Sequence, residues 1–308
     1  MIRLEGPWRR WEASSKPASV TIGVLDGVHV GHRSLLSRLD ESMTRTVLTF
    51  DPHPVEVLRP GTAPRLITTI DERIALLAGT GVEQVGVLDL AEIRSLRPED
   101  FVEEVLVGKL ATSHIVVGDD FRFGRDRSGD VGLLERMGPD LGFEVERSDL
   151  VADDGAAVSS SRIRELIEAG RVSDAARLLG SWFTVTNTVV PGDERGREIG
   201  FPTANLRPPD RKVVPATGVY ACFATVGGER HDAAVNVGVR PTFGGGELLV
   251  EAFILDFDES IYGHDLTTKF VEYIRPELKF AGVADLVSQM GRDVTETRSI
   301  LESARSRI

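Results

Sequence analysis

Cysteine is nearly missing from this chain: Cys222 is the only one in 308 residues. A single thiol excludes an intrachain disulfide and any cysteine-based metal site. Its setting, Val219-Tyr220-Ala221-Cys222-Phe223-Ala224, reads as a small buried side chain in a strand. Long apolar runs are lacking too, and none approaches the roughly 20 residues that span a bilayer. The opening Met1-Ile2-Arg3-Leu4-Glu5-Gly6-Pro7-Trp8 has no basic-then-apolar layout of a signal peptide, so a cytoplasmic location is expected. Basic residues are in deficit, 36 Lys+Arg against 48 Asp+Glu, for a formal net charge of -12. That field repels polyanions, and no basic tract offsets it, which argues against nucleic acid or an anionic membrane as partner. Small phosphorylated ligands stay open, because a few arginines, helix N-termini and Mg²⁺ neutralise phosphate locally. Tandem repeats and low-complexity segments are also absent, and the oligomeric state is left open.

What is present is ordinary globular material, 41% hydrophobic and 27% charged. The length exceeds the usual single core and predicts two domains. From 19 to about 179, short β-branched runs at 20–25, 46–50, 85–88, 115–117 and 143–146 alternate with stretches of helical period. Leu35, Leu36, Leu39 and Met43 share one such face, and Phe101, Val102, Val105 and Leu106 another. This alternation predicts an α/β, doubly wound, mainly parallel sheet. Ser159-Ser160-Ser161 offers N-cap hydroxyls to a helix carrying Ile163, Leu166 and Ile167, which Gly170 ends; a second helix runs from Ser173 towards Leu179 and stops at Gly180. Beyond Trp182 the texture changes to strand-like runs at 184–190, 219–226, 233–239, 248–257 and 266–274, separated by Gly, Pro and Asp clusters. The tail over 283–305, with Leu286, Val287, Met290, Val294, Ile300 and Leu301, predicts one or two amphipathic helices covering this β domain. The boundary falls near Gly180-Ser181, giving domains 1–181 and 182–308.

The first strand runs into Gly23-Val24-Leu25-Asp26-Gly27-Val28-His29-Val30-Gly31-His32, after which a helix begins. At such a turn the two histidines can face one pocket, and Gly27 and Gly31 permit close backbone approach, where phosphates bind in open α/β folds. Alone, the pair also reads as two ordinary loop histidines. Together with Val158-Ser159-Ser160-Ser161-Arg162-Ile163-Arg164, however, it resembles the two signatures of the HxGH nucleotidyltransferase superfamily. The second signature is usually ISSTxxR; here Ser161 keeps the hydroxyl and Arg164 takes the terminal arginine. The resemblance implies a Rossmann-like nucleotidyltransferase domain. In it His29 and His32 are catalytic and contact the ATP phosphates, Gly23, Asp26, Gly31, Ser160, Ser161 and Arg164 belong to the ATP site, and the Ser/Arg helix start grips the phosphates that leave as pyrophosphate. Attack by an existing phosphate at the α-phosphorus needs positioning and charge stabilisation more than a base, which agrees. Thr49-Phe50-Asp51-Pro52-His53-Pro54 and the 117–124 segment Val-Gly-Asp-Asp-Phe-Arg-Phe-Gly further resemble the FMN adenylyltransferase domain of bacterial bifunctional riboflavin kinase/FAD synthetases. Phe121 and Phe123 then offer aromatic surface for an isoalloxazine ring, although each alone reads as core. That family usually has Phe where this chain has Leu25.

In the second half, the glycine-rich 191–205 segment would pass as a hairpin were it not for Gly200-Phe201-Pro202-Thr203-Ala204-Asn205, which resembles the riboflavin kinase signature. The resemblance implies that Gly200, Thr203 and Asn205 bind ATP, with Thr203 and Asn205 as Mg²⁺ ligands; a hydroxyl and an amide carbonyl suit that hard cation. Further matches follow in family order at 218–220, 236–243, 250–257 and 261–263, and they make Glu251 the general base. A neutral ribityl hydroxyl, unlike a phosphate, calls for a group that accepts its proton. Arg275 is placed near the flavin or ADP, with a plain surface role equally open. The whole pattern implies a six-stranded antiparallel β-barrel with a C-terminal helix. It also implies riboflavin, FMN and ATP as substrates, FAD as a product, and two ATP-dependent steps, one in each half.

Overall fold

The computed structural model describes residues 1–191, 196, 199–242 and 245–305. Parts of two quoted motifs lie outside these: 192–195 and 197–198 of the glycine-rich segment, and Phe243 of the 236–243 match. The chain forms two compact units, Met1–Pro64 with Thr68–Ser160, and Arg65–Ile67 with Ser161–Ile308.

The first unit is built on strands β1 (Ile2–Leu4), β2 (Ala18–Ile22), β3 (Thr44–Phe50), β4 (Gln84–Leu88) and β5 (Thr112–Gly118). Small hairpins β6 (Arg122–Phe123) with β7 (Gly129–Asp130), and β9 (Ala152–Asp153) with β10 (Ala156–Ala157), flank its last strand, β8 (Glu144–Ser148). The sheet order is β1-β4-β3-β2-β5-β8 and every pairing is parallel. All five residues of the central strand β2 are buried, as a parallel strand covered on both faces requires. The two-residue period sends neighbouring side chains to separate cores: Val47 and Val116 enter one, Leu48, Ile115 and Val117 the other. The three-residue edge strand β1 is too short to show a period in the sequence.

Helix α1 (Val30–Leu36) is shorter than the Leu35-to-Met43 spacing predicts. It stops at Ser37, because Asp40 makes a local turn, its Oδ1 accepting from the Ser42 N–H (2.8 Å) and hydroxyl (2.7 Å), while its own N–H donates to Ser19 Oγ (3.0 Å). Helix α2 (Pro54–Leu58) follows β3, and α3 (Ile70–Ala78) opens with a Thr69–Glu72 capping box. The face of Phe101, Val102, Val105 and Leu106 is buried as the spacing predicts.

The helix Ser160–Glu168 starts on the last residue of the first unit, and the second unit continues with the helix Val172–Leu179, ended by Gly180 at φ 68°. Then come β11 (Phe183–Thr188), β12 (Ala204–Leu206), β13 (Gly218–Val226), β14 (Glu229–Thr242), β15 (Gly245–Ile254) and β16 (Asp265–Arg275). Their order is β11-β16-β13-β14-β15-β12, antiparallel throughout. Just beyond β11, the Val190 N–H donates to the Asn205 carbonyl at 2.9 Å, and this bridge brings the two outer strands together into a six-stranded barrel. Phe183, Tyr220 and Phe270 fill the interior with ring centroids 5.3–6.0 Å apart. The tail is one helix, Val283–Arg305, packed on β13, β14 and β16.

Candidate active sites

In the first unit the turn from β2 into α1 carries the paired histidines. His29 caps α1, its Nδ1 accepting from the His32 backbone N–H at 3.3 Å. That bond fixes the tautomer, leaving Nε2–H as the donor of His29. The rings stack with centroids 3.5 Å apart and 18° between planes. Gly31 is what permits this: a Cβ there would meet His29 Cε1 at 3.1 Å and Nδ1 at 3.2 Å. Burial pushes His29 down to about 4, against the pull of Asp26. His32 lies well below its ordinary value, first through burial, then through His29 and Arg73. Both are therefore neutral donors at pH 7. The Nδ1 of His32 is buried with no hydrogen-bond partner among the described residues.

Asp26 holds the turn shut. Only 1% exposed, its Oδ1 accepts from the N–H (2.9 Å) and hydroxyl (3.0 Å) of Thr68, whose Oγ1 in turn accepts from the Gly27 N–H (3.1 Å). The Asp26 carbonyl accepts from Ser160 Oγ at 2.9 Å, a bond within the first unit. This clamp sustains two left-handed residues, Leu25 (φ 52°) and Val28 (φ 41°), which cost about 1–3 kcal/mol each. Leu25 packs in the core with Val47, Val85 and Val116, so position 25 is a packing position, and Gly23 lies against it. Arg164 donates from Nη1 to Ser161 Oγ at 3.4 Å on the same helix. Phe123 is a core residue, 8% exposed and stacked on Phe121 at 5.4 Å, so Phe121 is the member of the pair with surface to offer. Two residues of this site are not singled out by the sequence: Thr68, and Arg73 of α3, which donates to Thr49 and Phe50. A signal for Arg73 was there, since it shares the apolar face of Ile70, Ile74 and Leu77.

In the second unit a cavity of about 460 Å³ gathers Thr203, Asn205, Glu251 and Arg275. Strand register explains the gathering. Asn205 pairs with Glu251, Glu251 with Asn236, Asn236 with Val219, and Val219 with Arg275, one row across five strands. Thr203, just ahead of β12, lines the same cavity. Asn236 Nδ2 donates to Glu251 Oε2 at 3.5 Å, and its place in the row was readable only once the pairing was known. Gly200, at φ 88°, has no atom of the described residues within 4 Å of where a Cβ would stand. Arg275 is not free: its Nε and Nη2 donate to Asp293 at 2.8 and 2.6 Å, and Gln289 buttresses the same carboxylate at 2.8 Å. Leu286, Met290 and Val294 of the C-terminal helix form an apolar wall of the cavity. Beside a carboxylate, the Thr203 hydroxyl and Asn205 amide are hard, neutral oxygen donors, a set that fits Mg²⁺ with water and phosphate completing its shell. Among the described residues no cluster of three or more His, Cys, Asp or Glu forms a metal site, and no helix is long and apolar enough to cross a membrane.

Comparison with known proteins covers both units. Residues 12–162 match the FAD synthetase family and residues 179–301 the riboflavin kinase family. The chain is 38% identical to the bifunctional riboflavin kinase/FMN adenylyltransferase of Pseudomonas fluorescens, over 91% of this chain and 92% of that one. To the protein of that description in Escherichia coli K12 it is 36% identical, over 93% and 94%, and in Bacillus subtilis 33%, over 96% of each. Among solved structures, one from Streptococcus pneumoniae described as a macrolide-efflux protein superposes with a TM-score of 0.88 at 31% identity, covering 97% of this chain and 99% of that one.

Proposed function

The chain belongs to the bifunctional riboflavin kinase/FMN adenylyltransferase family, and on that premise we propose that its second half phosphorylates riboflavin to FMN and its first half adenylylates FMN to FAD. Residues 182–308 carry the kinase, and 1–181, including the helical linker, the adenylyltransferase; the matched spans support this division. Each turnover to FAD consumes two ATP molecules, and FMN passes from one half to the other. The enzyme works in the cytoplasm on small molecules, without nucleic acid or membrane as partner.

The observation that carries the kinase reading is the row Asn205-Glu251-Asn236 facing a cavity lined by Arg275 and by apolar side chains of the C-terminal helix. Glu251 accepts the proton of the terminal ribityl hydroxyl as its oxygen attacks the γ-phosphorus of ATP. The bond from that phosphorus to the bridging oxygen breaks, and ADP leaves. Asn236 orients the carboxylate. Thr203 and Asn205 would hold Mg²⁺, which when bound neutralises phosphate charge. The apolar wall of Leu286, Met290 and Val294 suits the flat flavin ring. Arg275, its charge already answered by Asp293, fixes this wall rather than gripping phosphate.

In the adenylyl half the attacking oxygen belongs to the FMN phosphate, already anionic, so the histidines are needed as donors. The Nε2–H of His29, with His32, meets charge building on the α-phosphate as the bond to pyrophosphate breaks. Gly23, Gly31 and the turn held by Asp26 bring backbone close to the phosphates. Ser160, Ser161 and Arg164 meet the departing pyrophosphate at a helix start, and Phe121, with Phe123 behind it, stacks the flavin. A time course of riboflavin, FMN and FAD with Mg-ATP tests the proposal. FMN appears first and FAD follows; a chain that forms neither product overturns it.

A further inference from the structure

Beneath the histidine turn lies a cation that the reaction as derived does not use. Arg73 is 2% exposed, a burial rarely given to arginine without a partner or a task. Its Nη1 donates to Thr49 Oγ1 and to the Phe50 carbonyl, both at 3.2 Å. The Thr49 hydroxyl donates onward to the Val24 carbonyl at 2.8 Å, and Arg73 Nη2 stands 3.9 Å from Asp26 Oδ1. The guanidinium thus reaches the turn at two points, Val24 through Thr49 and Asp26 directly, on either side of left-handed Leu25. Its Nε is buried without a hydrogen-bond partner among the described residues. A residue present only to satisfy its own polar atoms would not leave one bare. A lone Asp26 partner would also need no fork, since Thr68 already gives that carboxylate two donors.

We propose that Arg73 is a positioning residue for FMN adenylylation: from under the turn it fixes Val24 and Asp26, and through them the stacked histidines, and it keeps a fixed positive charge beside them. Resting on the adenylyltransferase reading of this half, the inference explains two features together. Phosphates arriving at neutral histidines in a site of low dielectric need a charge that cannot be lost, and an arginine supplies it. Arg73 also repels a proton from His32, which favours the neutral form of that ring. The charged and titratable groups acting on this pair are Asp26 in the turn, which acts on His29, and His29 and Arg73 from α3, which act on His32; Asp26 and Asp51, just past the end of β3, act on Arg73.

The test uses the full chain and compares Arg73→Met, Arg73→Lys and the parent in both reactions across pH. Arg73→Met should lower kcat/KM for FMN adenylylation by about 10²-fold. It should also move the acid limb of that profile to higher pH, because removing the cation lets His32 take a proton more readily. Arg73→Lys keeps the charge and gives up the fork, so its acid limb stays at the parental position while the rate falls. Riboflavin phosphorylation by the same samples should not change. A lowered rate with an unmoved acid limb in Arg73→Met would reduce Arg73 to a packing role and overturn the proposal. If Arg73→Met does not accumulate folded, Arg73→Lys decides: a parental acid limb with a lower adenylylation rate supports the proposal, and a parental rate overturns it. A parent that makes no FAD from FMN would instead fail the underlying reading of this half.

Discussion

Replacing His29 by asparagine should remove a defined part of the acid sensitivity of the first unit. The native imidazole is held down to about 4 by burial, whereas the unfolded chain takes its proton at the ordinary 6.5. Between those two values the unfolded state binds more protons, so native stability falls as pH drops through 6.5 and levels off below about 4. At about 1.4 kcal/mol per pH unit, the loss from this one group is about 2 kcal/mol at pH 5 and about 3 kcal/mol over the whole window. Burial of His32 acts in the same direction. Asparagine does not titrate and is a good N-cap, so it keeps an acceptor for the His32 N–H while removing the linkage. The assay is urea unfolding at pH 7.5 and pH 5. Its signal is the fluorescence of Trp8 and Trp11, which are 3% and 4% exposed in this unit, in a Trp182→Phe background. The parent should lose about 2 kcal/mol more than His29→Asn between the two pH values. The same loss in both proteins would refute a buried, neutral His29.

Two further substitutions probe the packing that shapes each site. Gly31→Ala puts a Cβ against the His29 ring and should slow FMN adenylylation by about 10²-fold while riboflavin phosphorylation is unchanged; coupled assays on one preparation check both. Asp293→Asn removes the buried partner of Arg275, which should cost about 3 kcal/mol of kinase-unit stability and raise the KM for riboflavin. A parental melting temperature together with a parental KM would count against the strut role given to this pair.

Much of this arrangement was legible because its signals are local. The parallel sheet follows from β-branched runs alternating with helical stretches, and both helix stops at Gly170 and Gly180 are left-handed glycines, at φ 76° and 68°. Leu25 in place of Phe is a packing choice, plain once its side chain is seen among Val47, Val85 and Val116. What the sequence hid depends on pairing between distant segments. Asn236 and Glu251 meet only through strand register, Asp293 reaches Arg275 only when the C-terminal helix lies on β16, and Thr68 finds Asp26 across 42 positions. Short strands β1 and β12, of three residues each, are set by their neighbours rather than by a period of their own. Arg73 stood inside an apolar face, where a charge is the visible sign that burial serves something other than packing.

The division of labour is tested most directly by crossing Glu251→Ala with His32→Ala in the full chain and following riboflavin, FMN and FAD with Mg-ATP. Glu251→Ala should form no FMN from riboflavin yet convert supplied FMN to FAD at the parental rate. His32→Ala should accumulate FMN and stop there, and the two variants mixed should restore FAD. Equal loss of both reactions in either folded variant would contradict two separate sites on one chain.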